Sequence, residues 1–442
     1  MSAGNPSNAS LPLPRSDAPR PAVIPDPAPD AIPVRWGLPA DASLAARVMA
    51  LLAGVLLGFV LPVLMVVANK SAPATLGVAA LLANAAALLG GRRHALAGRY
   101  RALLLSPTAG ITVAVLLIMV ASFAWTVDRG LTMRGLVEGL PELVFALGTA
   151  AAWRLVADRR DSRWLMAGIL VASLLTLFEH LGGMPIHALV GARGEAWDLK
   201  RSAVPPLLLL WPALAMCWPR HRWGRATTLL AAVLIAIAAA HSGAPAAALA
   251  CGTLLFGIAL AAPRLGLGLM AAGLAVLIVT APWTGSTLSH VLPAEATETL
   301  REEHAEHRLV IWNAFEKRGF DRPLLGHGFD ASFKVAETPR QGGTPIPADS
   351  ARIVGFHPHD ILLQFWVELG ALGLAATALV CCFVLGRLAP LRGASLAARL
   401  GLFVAVIGVG LVGLSAWQPW WLASIAAALL WCDFAERRAA NE

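Results

Sequence analysis

The chain has 442 residues, of which 57% are hydrophobic and 14% charged, with a mean hydropathy of +0.67. A soluble globular chain is about a quarter charged, so this composition argues against one, and the apolar excess falls in runs of about 20 residues, the length of a membrane-crossing helix. The net charge of +8 does not point to nucleic acid, because most of the positive charge flanks apolar runs, as the positive-inside bias requires.

The reading is an all-α polytopic membrane protein with about twelve transmembrane helices. The Ala, Gly and Leu that fill the runs let such helices approach closely. Residues 1–43, rich in Pro, Ala, Ser and Asp with Arg15, Arg20 and Arg35, read as a disordered cytoplasmic tail. No short cleavable signal opens the chain, so the first span is expected to act as its own insertion signal. Spans are expected near 47–68, 75–91, 104–126, 135–156, 164–182, 203–219, 226–241, 244–262 and 265–283, then 359–386, 396–416 and 418–435. Arginines cluster on alternate connections: Arg92, Arg93, Arg99 and Arg101; Arg154, Arg159, Arg160 and Arg163; Arg220, Arg222 and Arg225; Arg387, Arg392 and Arg399. With the N-terminus inside, these connections are cytoplasmic. So is the C-terminal 436–442. The organisation is then a tail (1–43), helices 1–9 (44–283), a large outer loop (284–358) and helices 10–12 (359–435). All histidines except His94 and His221 lie toward the outer side.

Cys217, Cys251, Cys381, Cys382 and Cys432 sit in or at the ends of apolar runs. They form neither a disulfide framework nor a zinc spacing. No GxSxG or HExxH is present, and His357-Pro358-His359 lacks evident third and fourth metal ligands.

Residues 301–373 carry the chemistry-bearing side chains, with His304, His307, His327, His357 and His359. The stretch ATETLREEHAEHRLVIWNAFEKRGF reads as a helix with Arg301, Arg308, Trp312 and Phe315 on one face. That helix either lies on the membrane surface or binds a ligand. DRPLLGHGF reads as a tight turn at Pro323, Gly326 and Gly328; a lone GxG is a weak phosphate signal. QGGTPIPADS reads as flexible. HPHDILLQFWVELGALG enters the tenth span, with His359, Leu363, Trp366 and Gly370 on one face and Asp360, Gln364 and Glu368 at i, i+4 spacing. Glu368 falls about two and a half turns into the span. It is either functional or a brace for the loop. Pro358 restricts His357 to an extended backbone, so the two imidazoles are expected to point apart. Lys200 and Arg201 precede the sixth span, where basic residues are either anchors or ligands. His241 and Ser242 make the turn between the seventh and eighth spans. Glu179 and His180 close the fifth.

Twelve spans with a large outer loop between the ninth and tenth resemble the O-antigen ligase family, which includes O-antigen polymerases. That family shows His, then Asn, Ser or Gln, then nine residues, then GxxG. Here His359-Asp360 stands nine residues before Gly370-Ala-Leu-Gly373, with Asp360 in place of the amide or hydroxyl. Arg308 with Trp312 resembles the family's Arg…Trp element, and PLLGHG its Pro…GxG turn. The Ser-Arg-Gly turn of the family stands here as His241-Ser242-Gly243, without the arginine.

The resemblance implies an inverting glycosyltransferase of the bacterial inner membrane, active on its periplasmic face, with no metal and no cofactor. The donor would be a glycan on undecaprenyl pyrophosphate and the acceptor the lipid A core or another glycan. Its partners are then these lipids and the bilayer, not nucleic acid. His359 would be the general base and Arg308 a catalytic cation. Arg201, Lys200, His357, Asp360, Gln364, Glu368, Trp312, His241, Ser242, Gly326 and Gly328 would line the substrate site. A polymerase of the same family is the first alternative. A transporter or flippase is the second, although no repeat relates 47–219 to 226–435.

Overall fold

Apolar runs of this length satisfy their backbone in a bilayer only as helices, and helices are what they form. A computed structural model describes residues 1, 37–191, 199–291, 305–337 and 357–440, and these residues contain no strand. The helices belong to one unit, Trp36–Glu442. In chain order they are α1 (Leu44–Val67), α2 (Ala72–Leu89), α3 (Pro107–Ala124), α4 (Arg129–Val156) and α5 (Arg159–Leu181). There follow α6 (Val204–Cys217), α7 (Trp223–Ala239), α8 (Gly243–Ala261) and α9 (Pro263–Val291). Then come α10 (Ala305–Gly319), α11 (Ile361–Leu388), α12 (Gly393–Gly410) and α13 (Pro419–Ala440). Among the described residues nine of them, α1–α5, α8, α9, α11 and α12, are long and apolar enough to cross a membrane. Helices also occupy the other three expected intervals. Of these, α6 and α7 are shorter, and α13 carries Asp433, Glu436, Arg437 and Arg438 in its last two turns.

The expected N-terminal tail lies outside the described residues up to position 36, as do Arg301, His304 and the QGGTPIPADS stretch. Ser43 caps α1, its side chain accepting the Ala46 N–H at 3.2 Å.

Two features hold the bundle. In its middle, the indole of Trp211 on α6 fills the space where Gly252 on α8 and Gly401 on α12 have no side chain; a Cβ at Gly252 would lie 2.5 Å from the ring. At the arginine-rich end, Arg154 pairs in fork geometry with Asp433, its Nε 2.7 Å from Oδ2. Arg437 donates to the Arg154 carbonyl at 3.1 Å and Arg438 to that of Arg159 at 3.2 Å. These bonds tie the start of α5 and the end of α4 to α13.

At the opposite end the ninth helix runs further than its apolar composition suggested. After a 3-10 turn at Ala281–Trp283 it stays helical to Val291, and Ser286 N–H donates to Glu316 of α10 at 2.9 Å. The apolar side of α10 is also not laid on a bilayer. Ile311, Trp312 and Phe315 are buried in a small second core with Val335, Leu363 and Trp366. Large aromatic side chains buried this way contribute roughly 2–3 kcal/mol each. The loop helix is therefore docked on α11 by its own hydrophobic face.

Gly252→Val is expected to overpack the Trp211 seat and destabilise the bundle by roughly 1–3 kcal/mol. Thermal unfolding of the purified protein in detergent checks this. A melting temperature equal to the parent's would remove Trp211 from its place as the central wedge.

Candidate active site

The site is built on a break in α11. Gly370 sits at φ 62°, ψ −151°, outside any helical conformation, in the left-handed range that glycine tolerates. The break exposes backbone groups on both sides of it, and the segment from Pro323 to Gly328 takes them. His327 and Gly328 donate their N–H groups to the carbonyls of Val367 (3.0 Å) and Glu368 (2.8 Å). Pro323 and Leu324 accept the N–H groups of Ala371 (2.8 Å) and Leu372 (3.1 Å). The contact leaves no room for side chains: a Cβ on Gly370 would lie 2.5 Å from the Leu324 carbonyl carbon, and one on Gly326 would meet the Glu368 backbone. The other flank of the turn is held by the end of α3. Trp125 Nε1 donates to Leu325 O at 2.8 Å, Val127 N–H to His327 O at 2.8 Å, and Phe329 N–H to Ser122 Oγ at 3.1 Å.

The N–H groups of Gly326 and Gly328 have protein partners. The Gly326 N–H is spent on Arg322 O at 2.9 Å and the Gly328 N–H on Glu368 O. A Cβ at Gly328 would collide with Thr126. Both glycines serve close packing, and neither offers a donor to an anion.

Glu368, likewise expected to bind substrate, is fully buried and already has four donors. Oε1 accepts from Ser332 Oγ (2.6 Å) and Gln364 Nε2 (2.9 Å). Oε2 accepts from Trp417 Nε1 (2.6 Å) and the Asp330 N–H (2.9 Å). It is a brace joining the loop, α11 and the segment before α13. Gln364 completes this network, its Oε1 accepting the Ala416 N–H at 2.9 Å. Asp360 is the N-cap of α11: Oδ1 accepts from Leu362 N–H at 2.8 Å and Leu363 N–H at 3.1 Å. Asp, Asn and Ser all cap helices well, which explains why Asp can stand where the resembling family has an amide or hydroxyl. Burial pushes its carboxyl up to about 6.

The histidines do not point apart. His359 takes a left-handed backbone, φ 56°, which turns its ring back onto that of His357, centroids 4.1 Å apart. His357 Nδ1 accepts the His359 backbone N–H at 3.2 Å. His359 Nδ1 lies 3.4 Å from Gly413 O, a partner that only an N–H can use. The tautomers follow. In the neutral state His359 keeps a free lone pair on Nε2, whereas His357 carries its proton there. Burial lowers both pKa values, that of His357 to about 3. The charge of Arg201 adds to the effect on His357 and that of Arg308 to the effect on His359. Both arginines, from distant segments, thus act electrostatically on the histidine pair.

His357 also lines a cleft of about 360 Å³ with Arg134, Glu138, Asp330, Gln364 and Gln418. Sequence reasoning did not single out Arg134, Glu138, Asp330, Ser332 or Gln418. Asp330 is held at φ 56°, and burial, with Glu368 beside it, pushes its carboxyl up to about 8. In the sequence Asp330 stands two residues after the GxG turn, and that place was the one local signal available.

The other expected residues are placed less centrally. Trp312 packs in the second core and is 9% exposed. Lys200 is exposed on the short helix Leu199–Ser202 beside Arg201. His241 stacks on His180 at 4.8 Å and its Nδ1 lies 3.1 Å from Ala239 O. Ser242 precedes α8 without a side-chain cap bond. These partners belong to the α7–α8 turn and the end of α5, not to 357–368. Glu179 is a buried brace: it accepts from Ile186 N–H at 2.8 Å and pairs with His187 Nδ1 at 2.5 Å.

Residues 227–378 match a family model described as O-Antigen ligase. That span holds Arg308, the 323–328 turn, the histidine pair and the break at Gly370; Lys200, Arg201 and Arg134 fall outside it. A Rickettsia prowazekii protein described as "Putative polysaccharide ligase" is 32% identical over 159 residues, 34% of this chain and 38% of that relative. A Rickettsia felis protein with the same description is 25% identical over 268 residues, 59% of this chain and 64% of the relative. A third, from Rickettsia conorii, is 27% identical over 156 residues. The chain thus spans less than two thirds of each of these relatives.

Glu368→Gln is expected to preserve the fold but turn one acceptor into a donor facing donors. The cost is roughly 1–3 kcal/mol, read as a lower melting temperature and faster proteolytic nicking of 330–337. Unchanged melting and nicking would show that the four bonds do not brace the loop.

Proposed function

We propose that this polytopic membrane protein, which carries an O-antigen ligase family domain over residues 227–378, transfers a glycan from undecaprenyl pyrophosphate to the lipid A core, with His359 as general base. The single observation that carries the assignment of the base is the tautomer pair. His359 is neutral by burial and commits Nδ1 to Gly413 O, so Nε2 is open to a proton. His357, its Nδ1 already accepting a backbone N–H, presents only a donor.

In the proposed reaction the acceptor hydroxyl gives its proton to His359 Nε2 as its oxygen bonds to the anomeric carbon. The bond from that carbon to the pyrophosphate oxygen breaks on the opposite face, which inverts the anomeric centre. The diphosphate leaves with the electron pair, and Arg308 and Arg201 stabilise it. Guanidinium groups suit that task because they meet phosphate oxygens in bidentate fashion. The cleft beside His357 has room for a sugar-sized or diphosphate-sized group, and the lipid tail would lie against the apolar helices. Positive-inside bias puts the arginine-rich end in the cytoplasm and this site in the periplasm of the inner membrane. A polymerase differs only in its acceptor. Glycan profiling of a deletion strain separates the two: a core with no long glycan supports the ligase, and a core bearing one repeat unit supports the polymerase.

His359→Ala is expected to lower turnover by roughly 10²–10⁴-fold with donor binding little changed. Equal turnover in variant and parent sinks the assignment, and a loss confined to His357→Ala moves the base there. The pH profile gives a second check. A base must be unprotonated, so the rate rises with pH through its pKa and then levels. Because burial lowers that pKa, the rising limb should lie below about 6.5, the ordinary histidine value. A limb above it in kcat/KM, which reports the free protein, would exclude His359.

Arg308→Lys is expected to recover more activity than Arg308→Ala, with both well below the parent. Full activity of the Lys variant at matched expression would remove the bidentate role.

A further inference from the structure

A second cavity, of about 400 Å³, opens at the arginine-rich end between the first turns of α5 and α7. Arg163 stands on one side, and Arg222 and Arg225 on the other. Among the described residues none of the three forms an ion pair. The nearest carboxylate on α5, Asp161, is buried and accepts the Asp158 N–H at 2.8 Å. Below the arginines the walls turn apolar, with Met166 and Leu170 from α5 and Leu229 from α7. Leu170 is seven residues beyond Arg163, about 10 Å along the helix. At the same end Trp164 carries the Arg163 guanidinium 4.9 Å over its ring, and Trp223, the first residue of α7, is exposed. Tryptophans gather at the level where a bilayer meets water.

We infer that this cavity is a binding site for an anionic phospholipid, whose phosphate lies among Arg163, Arg222 and Arg225 and whose acyl chain runs along Met166, Leu170 and Leu229. The charge selects the anion, and the apolar floor at acyl depth selects a lipid over a soluble phosphate. The site is remote from the histidine pair and does not depend on the glycan-transfer reading. It would fasten α5 to α7 from the side, where each exposes apolar surface.

The test uses the full chain purified in detergent, titrated with phosphatidylglycerol, with phosphatidylcholine and with inorganic phosphate. Bound lipid is counted by native mass spectrometry and stability by thermal unfolding. Phosphatidylglycerol should be retained and raise the melting temperature, phosphatidylcholine should do neither, and inorganic phosphate should fail to displace the lipid at equal concentration. R163Q/R222Q/R225Q should weaken retention on the order of 100-fold, from about fivefold per cation. Thr228→Trp, which fills the cavity and keeps all three arginines, should also abolish it. R93Q/R101Q, which removes two exposed cations at the same end, should not. Equal binding of the zwitterionic lipid, displacement by phosphate, or unchanged retention in either cavity variant overturns the site. An equal loss in R93Q/R101Q does so too, since generic charge would then explain the binding.

Discussion

Inside a membrane-crossing helix the backbone has no water to fall back on, and each polar group left open costs several kcal/mol. At Gly370 this helix nevertheless breaks, opening the carbonyls of Val367 and Glu368 and the N–H groups of Ala371 and Leu372. The segment from Pro323 to Gly328 supplies the missing partners in four hydrogen bonds. Break and loop are therefore one structure. Withdrawing the loop strands four backbone groups, and closing the helix leaves the loop nothing to bind. Glu368, two residues before the break, repeats the bargain with side chains, joining Asp330, Ser332, Gln364 and Trp417 through one carboxylate.

The placement of the histidine pair follows from this. The N-terminal part of α11 is fixed from below by the loop and from the side by the Gln364–Ser415–Ala416 contacts. Its first turn is capped by Asp360, so the chain enters the helix in a set direction. His359, just before the cap, then has one ring nitrogen against Gly413 O and its ring against His357. Orientation and tautomer are thereby determined by backbone groups, which do not titrate.

Much of this was legible in the sequence and some was misleading. The helices could be read because a bilayer demands about 20 apolar residues per crossing, and arginines marked alternate ends. The spacing from His359 to Gly370 and Gly373 marked the stretch where α11 breaks and the histidine pair meets its first turn. What spacing does not carry is the difference between a glycine that opens an N–H to phosphate and one that lets two backbones touch. Gly326 and Gly328 have the same local pattern in either case, and only the partner 40 residues away decides. The same limit hid Asp330, Ser332 and Trp417, which meet at Glu368 from separate segments. For the histidines, Pro358 does constrain His357; the misjudged residue was His359, whose positive φ folds the ring back. Spacing also could not show that Trp312 packs into the second hydrophobic core, a common place for a tryptophan at helical spacing.

Burial and cations act on the imidazoles in the same direction. Both disfavour the protonated form, so His359 is kept neutral first by burial, with the guanidinium that is proposed to receive the leaving diphosphate adding to it. In the proposed reaction a diphosphate bound there would bring negative charge that offsets Arg308, and the proton affinity of His359 would rise. The proposed base would then be strengthened when an acceptor hydroxyl is to be deprotonated, and weakened again when the diphosphate departs. A lysine-rich site could supply the charge but not the fixed planar geometry. A histidine outside the reach of these arginines would be a base of constant strength. With Arg308 and His359 within electrostatic reach of each other, the proposed reaction would couple donor binding to proton transfer without any moving part.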